Sequence, residues 1–451
     1  MAAESLVGEV PAGWELTTLG DVCARAGGGI QTGPFGSQLH AFDYVPVGIP
    51  TVMPQNIGEN RIVIEGIARI TPANAHRLAR HQLFPGDIVY SRRGDVERRA
   101  LVREGESGWL CGTGCLRVRP GIGEVDSAYV SYYLGHPAVR SWVVRHAIGA
   151  TMPNLNTAIL SALPFVKPPL REQQEIASFL RALDDKIELN RRMNQTLEAM
   201  AQALFKSWFV DFDPVRAKAE GQAPAGMDAE TAGLFPDSFE DSVLGEIPQG
   251  WVVSPIADCV EINGWSLTSR DALDAINYIE ISEVSRGNIG AIAHYQRGEE
   301  PSRARRRLRH GDTVLSTVRP DRRAYFLALH PPDDLVASTG FAVLTPRSAP
   351  WSFVHAAMTQ SEVFDYLGRH ADGGAYPAVS AELIGAWLVA MPSRSGVFDA
   401  FHGVCAPLYG GAECNRREAR LLAAIRDALL PKLLSGDIRV KETEKMAGAA
   451  L

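Results

Sequence analysis

Arginine side chains are concentrated in two short stretches of the sequence, each beside a predicted strand. The first runs from Arg92 to Arg99 and the second from Arg303 to Arg309. A guanidinium group presents several N–H donors in a fixed plane, which suits paired hydrogen bonds to phosphate oxygens or to the edge of guanine. Asn and Gln can pair with adenine in the same way. These stretches therefore offer chemistry for contacting nucleic acid.

Polar and basic residues near predicted strand ends form two sets, one in each half of the chain. Because base recognition needs paired donors and acceptors, and phosphate contacts need basic or hydroxyl groups, we take these residues as candidate DNA contacts. The candidates are Gln31, Ser37, Gln38, Gln55, Asn56, Arg92, Arg93, Ser266, Thr268, Ser269, Arg270, Arg319, Arg322 and Arg323. Arg92 and Arg319 lead the set because they follow equivalent strands in the two halves. For each residue the competing interpretation is an ordinary solvated side chain.

The sequence lacks the motifs that an enzyme acting on DNA or nucleotides would carry. It has no Asn-Pro-Pro-aromatic or Asp-Pro-Pro-aromatic tetrapeptide of an adenine methyltransferase, and no G-x-x-x-x-G-K-[ST] phosphate loop. The glycine-rich run from Gly27 to Gly36 lacks the lysine of such a loop, so we interpret it as flexible. No histidine cluster or serine-hydrolase elbow is found. We expect a non-catalytic chain that binds no metal.

The cysteines form neither a zinc pattern nor a disulfide framework. They are Cys23, Cys111, Cys115, Cys259, Cys405 and Cys414. No two of them form a CxxC pair, and the closest pair has no second pair to complete a metal site. We predict reduced, mostly buried thiols.

The length and composition indicate several ordinary globular domains. A chain of 451 residues suggests two to four, and 46% hydrophobic and 22% charged residues can build real cores. The net charge of −7 argues against a lone nucleic-acid binder, although a locally basic face remains compatible with DNA. We see neither a secretory signal nor an apolar stretch of about 20 residues, so we expect a cytoplasmic protein without membrane contact.

The two halves of the chain repeat one another in the same order. The segment from Gly8 to Trp14 returns as Gly245 to Trp251, at an offset of 237 residues, and the Gly-Asp turn at Gly86 returns at Gly311, at an offset of 225. Further matches, at offsets from 224 to 226, are Thr113 with Thr339, Pro153 with Pro377, Pro168 with Pro392, and Glu188–Arg192 with Glu413–Arg417. The second copy is 12 residues shorter, and the loss precedes its Gly-Asp turn.

Each copy begins with a globular module in which strands and helices are mixed. The Gly-Asp turn precedes alternating apolar residues, and residues 116–120 alternate up to a proline, both typical of strands. Residues 127–134 are helical in character. The pattern predicts an α+β protein, with two mixed α/β modules related by an internal pseudo-twofold repeat.

A long amphipathic helix follows each module. Residues 171–209 contain no proline or glycine. Apolar residues recur three and four apart, as in a coiled coil, at Ile176, Leu180, Leu183, Ile187, Leu197, Ala201, Leu204 and Trp208, and in the second copy at Phe401, Val404, Leu408, Leu422, Ile425 and Leu429. Asn190 and Asn194 interrupt the first apolar seam, and Asn415 interrupts the second. We expect these asparagines to fix the register of two antiparallel helices.

The length of such a helix would suit a spacer. A helix of 39 residues is about 58 Å long at about 1.5 Å per residue, which is about 17 base pairs of B-DNA at about 3.4 Å each. Two helices packed side by side would then set the distance between two modules. The alternative is a general dimerisation coiled coil.

Motifs along nearly the whole chain, from about residue 7 to 440, resemble the specificity subunit of type I restriction-modification systems. The motifs are Pro11–Trp14, Gly33–Ser37, Gly86–Val89, Asn154–Asn156, the run Pro168–Ile176 that opens the long helix, Lys206–Phe212 and Leu433–Ile438. Their order and the duplication, rather than any single motif, carry the resemblance. The second copy departs from the pattern, because residues 392–395 lack the Pro-Pro-Leu-x-Glu-Gln run. Gly403, Pro407, Gly410 and Gly411 also weaken the early part of its helix.

The resemblance implies a domain organisation. It is target recognition domain 1 over 1–167, long spacer helix 1 over 168–212, a linker over 213–244, target recognition domain 2 over 245–393, long spacer helix 2 over 394–437 and a tail over 438–451.

The resemblance also implies the partners. The two domains would read the halves of a bipartite, asymmetric site in double-stranded DNA. The helices would dock two copies of a methyltransferase subunit, and a motor and nuclease subunit would join them. S-adenosylmethionine would bind to the methyltransferase, and ATP and Mg to the motor and nuclease subunit, with no cofactor on this chain. The alternative is a coiled-coil protein-interaction scaffold with two modules that do not bind DNA.

Overall fold

The computed structural model describes residues 5–149, 152–374 and 376–440. The chain divides into two compact units. The first comprises the residues up to Glu188 together with those from Ala419 onward, and the second is Leu189–Glu418. In the described ranges we find no helix that combines the length and the apolar character needed to cross a bilayer.

The first unit contains a mixed module built on two small sheets. Its elements in chain order are β1 Glu15–Thr18, α1 Leu19–Arg25, β2 Gly29–Thr32, β3 Tyr44–Val52, β4 Ala68–Ile70, α2 Pro72–Arg77, β5 Ile88–Ser91, β6 Arg99–Leu101, β7 Leu110–Cys111, β8 Cys115–Arg119, α3 Ser127–Leu134, α4 Pro137–His146, α5 Thr157–Ser161, β9 Pro164–Lys167 and the start of α6 Leu170–Phe209. One sheet is antiparallel with order β2-β8-β5-β6, and the other has order β4-β3-β7 with β3 and β7 parallel. A separate pair joins β1 to β9.

The second unit continues from α6 and carries the second module. Its elements are α7 Asp213–Ala219, α8 Ala229–Gly233, β10 Phe239–Ser242, β11 Gly245–Pro248, β12 Val252–Pro255, β13 Val260–Ile262, β14 Ala275–Ile279, β15 Val284–Ser285, β16 Asn288–Ile289, β17 Ala293–Gln296, β18 Ala304–Arg307, β19 Asp312–Ser316, β20 Tyr325–Ala328, β21 Leu335–Ser338, β22 Phe341–Pro346, α9 Trp351–Met358, α10 Ser361–Arg369, α11 Ala381–Gly385, β23 Leu388–Met391 and the start of α12 Ser395–Ser435.

The strand order of the second module repeats that of the first. One antiparallel sheet has order β13-β22-β19-β20, which matches β2-β8-β5-β6 element for element. The other has order β17-β14-β21-β18, and its parallel pair β14 and β21 matches β3 and β7. The pairing of β12 with β23 matches that of β1 with β9. The internal repeat and the α+β fold class predicted from the sequence are therefore confirmed.

The two long helices run antiparallel within each unit. In the first unit, Asp184 near the start of α6 pairs with Arg426 near the end of α12 at 2.7 Å. In the second unit, the aromatic rings of Phe205 and Phe401, from the end of α6 and the start of α12, lie 6.1 Å apart. The glycines and Pro407 do not break α12, which is continuous over its 41 residues.

The apolar seam of α12 differs in one position from the sequence prediction. Val404 is 50% exposed, whereas its neighbour Cys405 is fully buried. Tyr409 and Ala412 continue the buried line toward Asn415. Val404 was therefore wrongly assigned to the seam, because apolar residues occupy both candidate positions and only packing distinguishes them.

Both chain ends contribute to the core of the first unit. Leu433 and Leu434 of α12 lie fully buried in one apolar cluster with Val7, Trp14 and α3. Trp14 Nε1 donates a hydrogen bond to Glu172 Oε2 at 3.0 Å. Ile438 and Val440 also pack against this cluster, and residues 441–451 of the segment assigned as the tail lie outside the described residues.

Candidate nucleic-acid interface

Three loops of the first module meet just beyond the end of β5. The backbone N–H of Arg92 donates to the carbonyl of Gly114 at 2.8 Å, and that of Leu155 donates to the carbonyl of Arg92 at 2.9 Å. Gly94 donates to the carbonyl of Pro153 at 3.2 Å. Asn156, which follows, caps α5 by accepting a hydrogen bond from the Ile159 N–H at 2.8 Å. These bonds fix the backbone on which the candidate side chains stand.

The side chain of Arg92 is held by this arrangement and keeps part of its donor capacity. Its Nε lies 3.3 Å from both Asn154 Oδ1 and the carbonyl of Leu155. Within the described part of the chain, Nη1 and Nη2 have no hydrogen-bond partner. The Phe35 ring, 52% exposed, lies 5.9 Å from its guanidinium carbon. Arg92 thus presents a fixed pair of donors beside an exposed aromatic ring.

The second module forms the same three-loop junction beyond β19. Thr317 N–H donates to the carbonyl of Gly340 at 2.9 Å, and Val379 N–H donates to the carbonyl of Thr317 at 2.9 Å. Arg319 N–H donates to the carbonyl of Pro377 at 2.7 Å. The guanidinium carbon of Arg319 lies 4.5 Å from the centre of the Tyr376 ring, which is 70% exposed. A guanidinium over an exposed ring is suited to stacking on a base and to hydrogen bonding at once.

The hydrogen bonds correct the expected equivalence between Arg92 and Arg319. Arg92 makes the same two backbone bonds as Thr317, so these two positions correspond. Arg319 corresponds to Gly94, and both have a left-handed backbone, with φ of 50° and 74°. The two arginines follow equivalent strands as predicted, but they stand two positions apart in the loop. Non-glycine residues seldom adopt this conformation, so the junction holds Arg319 in a strained backbone.

Several other candidates already have partners inside the protein. Asn56 is 1% exposed and donates to the carbonyl of Val63 at 3.1 Å. Gln31 accepts a hydrogen bond from Arg117 at 2.8 Å, and Gln38 accepts one from the Phe35 N–H at 3.1 Å. Arg323 is 3.0 Å from Asp365. These contacts assign structural roles to the four side chains, so we leave them out of the proposed contact set.

The remaining candidates lie on exposed loops. Ser37, Gln55, Arg93, Ser266, Ser269, Arg270 and Arg322 are exposed. Thr268 is exposed too, and its hydroxyl lies 2.9 Å from an oxygen of Asp271 in a tight turn. The structure brings Arg92 and Arg93 to one junction and Arg319 and Arg322 to the other.

Sequence reasoning missed the exposed residue that precedes the shared proline in each module. Met152 is 63% exposed and Tyr376 70% exposed, and they stand directly before Pro153 and Pro377. The repeat aligns these two positions, but neither was among the candidate contacts. A large side chain at an exposed loop position in both copies was the available signal.

The structure shows no metal site among these groups. Over the described ranges, no cluster of three or more His, Cys, Asp or Glu side chains has a geometry that could hold an ion. Five of the six cysteines are buried and all six are free thiols, as the sequence predicted. Burial raises the pKa of Cys111 to about 12, so this thiol stays protonated and unreactive near neutral pH.

Comparison with known proteins finds similarity to one family. Residues 11–199 match the family model described as type I restriction modification DNA specificity domain. The HindI specificity subunit of Haemophilus influenzae is 25% identical over 426 residues, covering 80% of this chain and 88% of that protein. The MjaIX specificity subunit of Methanocaldococcus jannaschii is 23% identical and covers 97% of this chain and 96% of its own.

A solved structure has the same fold. The type I S subunit from M. genitalium superposes with a TM-score of 0.52 at 15% identity, covering 95% of this chain and 98% of the other. At this level of identity the likeness establishes the architecture alone.

Proposed function

We propose that the chain is a type I restriction specificity subunit that reads a bipartite, asymmetric site in double-stranded DNA and docks two methyltransferase subunits. Its similarity to such subunits supports this proposal. It is a non-catalytic member of such a complex. A motor and nuclease subunit would complete the assembly in the cytoplasm. The methyltransferase would bind S-adenosylmethionine, and the motor and nuclease subunit would bind ATP and Mg.

The observation that carries this proposal is the pair of equivalent junctions with different side chains. Arg92 in the first module corresponds to Thr317 in the second, and Gly94 corresponds to Arg319. The corresponding strands have the same order in both modules, and the second module adds β18 at one sheet edge. Two modules with the same fold but different hydrogen-bond donors at the junction would recognise two different half-sites. The complete site would therefore be asymmetric.

The spacing between the half-sites would follow from the long helices. Helix α6 contains 40 residues, which corresponds to about 60 Å at about 1.5 Å per residue. Base pairs recur about every 3.4 Å along B-DNA, so a helix of this length spans about 18 of them. A rigid spacer would impose a fixed number of unspecified base pairs between the two recognised halves.

Methylation mapping tests the proposal. The full-length chain is produced with its methyltransferase partner, and methylated adenines are located across a host genome. We expect two short specified sequences of different composition separated by a gap of constant length. The methyltransferase produced without this chain is the control and should give no such motif. A single uninterrupted motif would contradict the bipartite proposal.

The acidic net charge of −7 favours one competing function, a scaffold whose modules bind proteins. Salt dependence distinguishes the two functions, because DNA binding releases counterions and weakens steeply as salt rises. We expect the logarithm of the DNA association constant of the complex to fall linearly with the logarithm of salt concentration. Absence of DNA binding at low salt would favour the scaffold.

A further inference from the structure

A cavity of about 210 Å³ in the first unit contains an arginine without a carboxylate partner. Arg99 is 8% exposed, and its Nε donates to the carbonyl of Ser131 at 2.7 Å. Its Nη1 and Nη2 have no hydrogen-bond or ion-pair partner in the described ranges, yet they are not sealed from solvent. A buried guanidinium is costly to leave unpaired, so its two donor groups require a ligand or water in the cavity.

A second buried donor lines the same cavity. Asn60 is 6% exposed, and its Oδ1 accepts a hydrogen bond from the Ser131 hydroxyl at 2.5 Å. No described residue accepts a hydrogen bond from its Nδ2, and this atom is also not sealed from solvent. Arg99 and Asn60 together therefore direct three N–H bearing nitrogens into one space.

The carboxylates around the cavity are occupied by another arginine. Arg426 lies 2.7 Å from Asp184, 2.8 Å from Glu59 and 2.8 Å from Asp427. The remaining lining arginine, Arg140, pairs with Glu97 at 2.7 Å. Among the described residues, these pairs leave Arg99 as the lining cation without a carboxylate within 4.0 Å. Glu59 and Asp184 favour its positive charge from a greater distance, and Arg140 opposes it.

The second module has aromatic side chains at the positions that correspond to Arg99 and Arg140. By strand register, Arg99 opposite Tyr90 corresponds to Tyr325 opposite Leu315. Arg140 in α4 corresponds to Phe364 in α10, and the rings of Tyr325 and Phe364 stack at 5.6 Å. An aromatic pair thus closes the second module where two arginines border a cavity in the first.

One glycine makes room for the guanidinium. A Cβ added to Gly135 would lie 1.9 Å from Arg99 Nη2. The equivalent position in the second module is Thr359, whose hydroxyl bonds to the His355 carbonyl at 2.6 Å. The backbone of Gly135 is right-handed, with φ of −86°, so conformational freedom does not require a glycine there. A glycine is needed because a side chain at this position would occupy the space of the Arg99 guanidinium group.

We propose that this cavity binds an oxyanion of the phosphate class, held by the guanidinium group of Arg99 and the side-chain amide of Asn60, with Arg140 beside it. Guanidinium donors match phosphate oxygens in pairs. The additional amide donor suits an anion with more than the two oxygens of a carboxylate. The volume accommodates a small anion with several waters.

Calorimetric titration of the full-length chain with inorganic phosphate, at constant ionic strength, tests this site. We expect saturable binding at one site, with Kd raised at least about tenfold in Arg99→Met, because a charge-assisted hydrogen bond contributes enough for that factor. Gly135→Ala should weaken phosphate binding in the same direction by displacing Nη2. The matched control is Arg98→Gln, since Arg98 is exposed and pairs only with Asp95, and its Kd should be unchanged.

The comparison between variants is needed because phosphate also stabilises proteins nonspecifically. Absence of saturable phosphate binding to the wild-type chain would overturn the site. So would a phosphate Kd equal to that of the wild-type chain in folded Arg99→Met and Gly135→Ala variants. If Arg99→Met does not fold, Gly135→Ala and Arg140→Gln provide the same comparison.

A competition arm identifies the source of the phosphate group. A duplex of arbitrary sequence is added at saturating concentration before the phosphate titration. If the duplex blocks phosphate binding, and Arg99→Met weakens duplex binding, the ligand is a backbone phosphate of DNA. If phosphate binds equally with and without duplex, the ligand is free phosphate.

Discussion

Asn415 of α12 donates a hydrogen bond from its side-chain amide to Oδ1 of Asn194 of α6, 3.0 Å away. One helical turn earlier in α6, Asn190 is fully buried and donates to Glu418 Oε2 at 2.7 Å. The three asparagines identified from the sequence therefore lie together between the helices of the second unit. Buried polar pairs cost stability relative to apolar residues, but only one alignment of the helices satisfies them.

A double-mutant cycle on this pair measures the coupling between Asn194 and Asn415. Asn194→Ala and Asn415→Ala each remove this hydrogen bond between the helices, and we expect each to lower the free energy of unfolding by about 0.5–1.5 kcal/mol. The double variant should cost less than the sum, with a coupling of at least about 0.5 kcal/mol. Urea unfolding measures all three. Gln195→Ala, at an exposed position, is the control, and strict additivity would contradict the pairing.

Replacing Arg319 should change recognition in one half of the DNA site only. We expect Arg319→Ala to weaken binding by about 1–3 kcal/mol and relax specificity at one position if the side chain contacts a base, or to lower the salt slope by about one if it contacts a phosphate. Methylation mapping and salt titration distinguish these results. Arg347→Gln is the control, because Arg347 is 62% exposed and pairs with Glu261. An unchanged motif with an unchanged salt slope would exclude Arg319 as a contact.

Shortening both long helices should shorten the gap between the half-sites. Removing seven residues, about two helical turns, from each helix removes about 10 Å of rise. This equals about three base pairs of B-DNA. The gap is read from the methylated motif of the variant complex. Alanine substitution of seven exposed helix positions without deletion should leave the gap unchanged, whereas a deletion variant with the original gap would refute the spacer proposal.

Asp312 should make the second module less stable as pH rises through the mildly acidic range. Asp312 is fully buried, and burial raises the pKa of its carboxyl group from 3.8 to about 6. The folded state therefore retains a proton that the unfolded state releases. The contribution of Asp312 to stability is fully present below pH 3.8 and is lost as pH rises to about 6, by about 3 kcal/mol in total at about 1.36 kcal/mol per pH unit. Asp312→Asn should remove this loss, which thermal unfolding across pH 3–8 would detect.

The equivalent residue of the first module provides the matched control. Asp87 is 2% exposed and accepts hydrogen bonds from Arg119 Nε and Nη2, both at 2.6 Å. Asp87→Asn breaks this ion pair and should destabilise the protein at neutral pH, where Asp312→Asn stabilises it. If both substitutions change the free energy of unfolding in the same direction at pH 7, the raised pKa of Asp312 is contradicted.

The periodic and repeated features of this chain were predictable from its sequence. Apolar spacing and the absence of proline and glycine predicted a helix over 171–209, and α6 extends from Leu170 to Phe209, because these features determine a helix locally. The seam asparagines were found because a polar residue interrupts an otherwise apolar series. The duplication established two modules of equal topology without revealing their strand order.

The candidate contacts were less predictable because loop side chains depend on partners that are distant in sequence. Asn56 and Arg92 have equally suitable chemistry for contacting DNA. Asn56, however, donates its side-chain hydrogen bond to the Val63 carbonyl, whereas Arg92 retains two donor groups. The correspondence of Arg319 with Gly94 emerges only from hydrogen bonds between loops. The cavity beside Arg99 depends on the absence of a side chain at Gly135. No local sequence pattern predicts that these two residues are close in space.

The division of the chain between the two units has a consequence for biosynthesis. The second unit is one continuous segment, Leu189–Glu418, whereas the first needs residues that precede this segment and residues that follow it. Leu433 and Leu434 leave the ribosome after the whole second unit has been synthesised, and until then the cluster that contains Trp14 lacks part of its apolar lining. The module synthesised first is thus the one completed last. Translation that stops short of α12's final turns would leave this core open to chaperones, proteases and aggregation.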